Sequence, residues 1–64
     1  MHLINLKQVD GPTIKVNPDW IQMIKPYGST SMVFLRHIEI EVEETPQEIY
    51  DRIQNSSDLY KNAR

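Results

Sequence analysis

The sequence predicts a small α+β domain, mostly β: an antiparallel meander of about five strands closed by one C-terminal helix. Three observations lead there. The chain has 64 residues and no cysteine, so there is room for one domain with one thin core. Its first two thirds break into short β-branched and apolar segments separated by Gly, Pro and Asn corners. A single strong helix start, Thr45-Pro46-Gln47-Glu48, stands after them.

The segment Met1 to Val9 reads as a strand with Ile4 and Leu6 on one face and Leu3 and Val9 on the other. Asp10-Gly11 then predicts a tight primed hairpin turn, whose two central residues want positive φ. Thr13-Ile14-Lys15-Val16 alternates as a second strand and stops at Asn17-Pro18-Asp19. Proline cannot donate to a ladder and pushes its predecessor out of the helical region, so the chain corners there.

Trp20 to Lys25 fits either a short helical face or a strand. A helix of that length is marginal, so a strand is expected, entered through one helical turn. Pro26 to Thr30 reads as a loop. Met32-Val33-Phe34-Leu35 is an apolar run between turn residues, expected as a central strand covered on both sides. After Arg36-His37, the residues Ile38, Ile40 and Val42 alternate with Glu39, Glu41 and Glu43, which predicts one buried face and one acidic, solvated face.

Thr45 and Glu48 form a capping box with proline at the first helical position. Ile49 and Ile53, four apart, would cover the sheet. Beyond Gln54 the helical pattern weakens, so residues 1–55 are expected to form the domain and 56–64 a partly flexible tail.

Composition excludes several function classes. Without cysteine there is no disulfide framework or thiolate zinc site, and His2 and His37 alone do not make a metal centre. Neither a metal nor any other cofactor is expected. A chain this short gains little net stability from its own core, which makes self-association as a homodimer or larger assembly the remaining aid.

The net charge is −2 and the seven Lys and Arg residues are scattered, leaving no basic stripe for nucleic acid. No apolar run reaches a membrane-spanning length and no secretory signal pattern opens the chain. A cytoplasmic protein is expected.

Chemistry is scarce. Ser29, Ser31, Ser56 and Ser57 are expected in a loop or in the tail, and only His37 lies in the folded body, so no nucleophile, base and orienting acid come together. His37-Ile38-Glu39 has the H-x-E spacing of zinc deaminases but lacks their cysteine pair. Glu39, Glu41 and Glu43 read first as a solvated strand face and second as a docking strip for a basic partner. Trp20 reads first as a cap on the core and second as a contact residue, and Tyr27 as an exposed loop residue. The candidate interaction surface is therefore Trp20, Tyr27, Glu39, Glu41 and Glu43.

Val16-Asn17-Pro18-Asp19-Trp20-Ile21, then Ile24 and Pro26, then Val42-Glu43-Glu44-Thr45-Pro46-Gln47-Glu48-Ile49 with Ile53, resemble the FlbD/SwrD family of small flagellar and swarming-motility proteins. The similarity covers about residues 3 to 53. It departs from the family pattern at Arg36-His37, where an Asn-Gly turn is usual, and in the added stretch from Ser56 to Arg64. The resemblance implies a non-enzymatic accessory protein that acts through protein contacts; many small bacterial and phage proteins could share these short motifs. Glu48-Ile49-Tyr50-Asp51-Arg52-Ile53-Gln54 is also similar to the helix of the CsrA/RsmE translational regulators, which implies RNA binding as the alternative. The arginine that precedes that family's helix is replaced here by Thr45-Pro46. A third reading, a small phage-type antagonist with an acidic face, rests on charge and size alone.

Overall fold

The structure, a computed structural model, describes residues 2–62, and for 56–62 the backbone alone. Five strands precede one helix: β1 (Ile4–Lys7), β2 (Thr13–Val16), β3 (Met23–Tyr27), β4 (Thr30–Phe34), β5 (Glu39–Val42) and α1 (Pro46–Asn62). All strand pairings are antiparallel, in a two-stranded sheet β1-β2 and a three-stranded sheet β3-β4-β5. This is the mostly β, α+β meander with a C-terminal helix that the sequence predicts.

The two sheets are stitched together where β1 ends. Gln8 bridges Val42, Val9 N donates to Glu41 O at 3.0 Å, and Glu43 N donates to Lys7 O at 2.8 Å. The chain leaving β1 thus changes partner from β2 to β5. That switch overturns the tight Asp10-Gly11 turn: β1 and β2 are joined through residues 8–12, and neither Asp10 nor Gly11 has positive φ. A Cβ at Gly11 would lie 2.9 Å from Gln8 Nε2, the end of a flexible side chain that donates to Pro12 O across the loop.

The corner after β2 is a 3-10 turn over Pro18–Trp20, with the Asn17 side chain accepting from Asp19 N at 2.9 Å. β3 begins only at Met23 and runs on through Pro26 and Tyr27, residues expected in a loop. The reason lies in the hairpin: Gly28 alone among the described residues has positive φ, 63°. A glycine of that sign at the first central position makes a two-residue Gly28-Ser29 turn of the II′ kind, which lets both strands run to its edge. Ser31 is accordingly a fully buried β4 residue rather than a loop serine, and its hydroxyl donates to Glu44 O at 2.7 Å. A four-residue connection, 35–38, with Arg36-His37 at its tip, joins β4 to β5, and Leu35 N donates to Ile38 O across it at 2.8 Å.

The core consists of Ile4, Leu6, Val16, Val33, Val42 and Ile49, with Ile14, Ile21, Ile24, Leu35, Ile40 and Ile53 packed around it. β1 delivers Ile4 and Leu6 by strict alternation. The helix starts as expected, with Thr45 N donating to Glu48 and Glu48 N donating to the Thr45 hydroxyl. Two expectations about strands are corrected. β4 is fully covered on the Ser31 and Val33 face alone, the face on which Val33 joins the core of Ile4, Leu6, Val16, Val42 and Ile49. Ile38, at the turn into β5, is 60% exposed. The helical backbone also continues to Asn62, past Gln54; the side chains of 56–62 and residues 63–64, on which the expectation of a flexible tail falls, lie outside the described residues.

Candidate interaction surface

Residues directly opposed across an antiparallel pair share a face. Met23, Phe34 and Glu39 therefore form one row on the outer side of β3-β4-β5, and Lys25, Met32 and Glu41 the next. Tyr27 and Thr30 form a third. The intervening residues Ile24, Val33, Ile40 and Val42 face the core.

The water-facing side of an antiparallel sheet is ordinarily polar. Here the middle of that side is Met32 and Phe34, both half-buried, flanked by Met23 at 47% exposure and Tyr27 at 61%. β3 is an edge strand whose outward groups are guarded by Lys25 and by Pro26, which has no N–H to offer a further strand.

Charge is divided across the face, with Lys25 on the β3 side and Glu39, Glu41 and Glu43 on the β5 side. The three glutamates are not equivalent. Glu39 is exposed. Glu41 is half-buried, 2.7 Å from the Thr30 hydroxyl, which also lies 2.8 Å from Tyr27 O and donates to one of the two at a time. Glu43 stands 3.8 Å from Lys7 Nζ, an exposed pair worth little.

Trp20 does not cap the core. It is 52% exposed, with the Arg36 guanidinium 5.7 Å from its ring centroid, a separation at which cation–π attraction acts. The 3-10 turn ends immediately after it, and Ile21 is the residue that packs against the core. Of the five surface residues expected from sequence, the structure brings Tyr27, Glu39, Glu41 and Glu43 to one face and leaves Trp20 on the turn that leads into β3.

Sequence reasoning missed a second constellation, centred on Glu44. Its carboxylate accepts from Lys7 N at 3.0 and 3.1 Å and from Arg52 Nη1, and Arg52 Nη1 also donates to Asn5 O at 2.7 Å. These contacts continue the β1 edge where β5 stops, so side chains satisfy main-chain groups that have lost their strand partner. Burial alone would raise the Glu44 pKa. The Arg52 guanidinium and the Lys7 amide outweigh it and hold the carboxyl below the usual range. The pair lies in an open groove of about 570 Å³ with Leu3, Asn5, Lys7 and Thr13. The one sequence signal for it is that Glu44 breaks the alternation of the acidic strand.

Among the described residues no three His, Cys, Asp or Glu side chains converge as metal ligands do, and no helix is long and apolar enough to cross a membrane. Comparison with protein-family models, with curated proteins and with solved structures gives no match.

Proposed function

We propose that this chain is a non-catalytic accessory module that acts in the cytoplasm through protein contacts, in the manner its resemblance to the FlbD/SwrD family implies, and that the outer face of β3-β4-β5 is its docking surface. The observation that carries this reading is where the large side chains lie. A chain with so small a core needs its bulky residues inside, yet Met23 and Tyr27 on this face are about half exposed or more, beside half-buried Met32 and Phe34. Contiguous apolar surface rimmed by charge is the signature of a contact site. The divided charge supplies orientation rather than bulk affinity.

The test is capture from native lysate by the tagged chain, with the eluate assayed both for proteins and for co-purified RNA. Wild type should capture a reproducible protein set that a Met23→Ser/Tyr27→Ser variant loses. Neutralising Glu39, Glu41 and Glu43 to Gln should weaken capture more at low salt than at high salt. Enriched RNA that disappears on adding salt would instead favour the CsrA-like reading and overturn this one.

A further inference from the structure

We propose that the partner seated on this face is a second copy of the chain, packed sheet against sheet about a two-fold axis that runs along the strands through β4. The proposal rests on the docking-face reading above and names its occupant. The row register carries it. Lys25, Met32 and Glu41 stand side by side across the face in that order, so positive charge lies on one flank, negative on the other, and an apolar side chain between them.

Two aligned face-to-face arrangements bring Met32 of both copies together, and they differ in the direction of the two-fold axis. A two-fold axis across the strands would place Lys25 over Lys25 and Glu41 over Glu41 of the second copy, opposing like charges twice. An axis along the strands places each Lys25 over Glu41 of the other copy, twice, with Met32 and Phe34 meeting their own counterparts in the middle. Such an interface is isologous and closed, as homodimers require. Packed sheets lie about 10 Å apart, a gap that a lysine and a glutamate reaching towards each other span.

Size supplies the need and sets the strength. The buried core is six aliphatic residues, and oligomerisation is an aid open to a chain without cysteine. One face of a three-stranded sheet is a small footprint: a standard partner contribution of about 800 Å² would be about one sixth of the 4722 Å² surface. A weak, concentration-dependent and salt-sensitive dimer is expected.

The test is solution mass by sedimentation equilibrium on the full chain from about 10 µM to 1 mM, the range in which a contact below standard size populates. Wild type should rise from 7.5 kDa towards twice that value. K25E alone and E41K alone should each weaken association about tenfold or more. An equimolar mixture of the two should restore it, because each Lys25/Glu41 contact again joins opposite charges. Lys25 is exposed on an edge strand, so K25E keeps its fold by circular dichroism and decides the matter alone should E41K not fold. A wild-type chain that stays at 7.5 kDa throughout, a dimer indifferent to K25E, or K25E pairing better with wild type than wild type with itself would each overturn the proposal. A monomeric wild type whose Met23→Ser/Tyr27→Ser variant still loses its captured protein would remove the second copy but keep the docking face.

Discussion

Glu44 and Arg52 show how a single side chain can stand in for a missing strand. The carboxylate takes the Lys7 N–H that β5 no longer reaches, and the guanidinium takes the Asn5 carbonyl and neutralises the acid. Removing one partner strands the other, so Glu44→Ala should cost about 2–3 kcal/mol in urea unfolding, more than an exposed ion pair would. The folded pKa is lowered, so the stability it contributes is complete above about pH 5 and drains away as pH falls through the folded pKa. Stability measured against pH should fall on the acid side in wild type, and Glu44→Gln should be lower at neutral pH and flatter towards acid. Gly28 makes a cleaner backbone case. A Cβ there meets nothing within 4 Å, so Gly28→Ala should cost about 1 kcal/mol or more through its positive φ alone.

At the scale of elements, the helix is anchored at its first turns. Ile49 is fully buried beneath the strands and the Thr45–Glu48 box fixes where the helix begins. Thr45→Ala should lower stability by about 1 kcal/mol. Ile49→Ala should cost about 2–5 kcal/mol, a large share of what so small a domain has, and thermal melts of both variants would separate the two. The strands divide differently between local and distant causes. The alternation of Ile4 and Leu6, the corner at Pro18, and the Glu39/Glu41/Glu43 period are visible in the chain because side-chain direction in a strand follows position. The five-residue link between β1 and β2 is not, because Asp10-Gly11 carries a strong local turn preference that yields to the bridge between Gln8 and Val42, a contact formed with residues over thirty positions away.

For the whole molecule, a thin core and a partly apolar outer face belong together: what one chain cannot enclose, two can. Binding to the folded form alone stabilises it by mass action, so the melting temperature should rise with protein concentration in wild type and rise less in K25E. Differential scanning at dilute and concentrated protein measures this directly. The same logic places Trp20 outside, since a 3-10 turn that sends Ile21 inward leaves the indole against Arg36.

The sequence by itself determined the class of fold, the number and approximate place of the strands, the helix start to the residue, and the shared face of Glu39 and Glu41. Each of these follows from local stereochemistry or from a period of two, which neighbours in the chain already contain. The tertiary structure alone decided that β1 passes from β2 to β5, that Glu44 and Arg52 close the exposed edge, that Ser31 is buried and Trp20 is not, and that Lys25 and Glu41 flank Met32. Those outcomes depend on register between distant segments and on which main-chain groups remain unpaired once the sheets have formed, and no window of neighbouring residues holds that information.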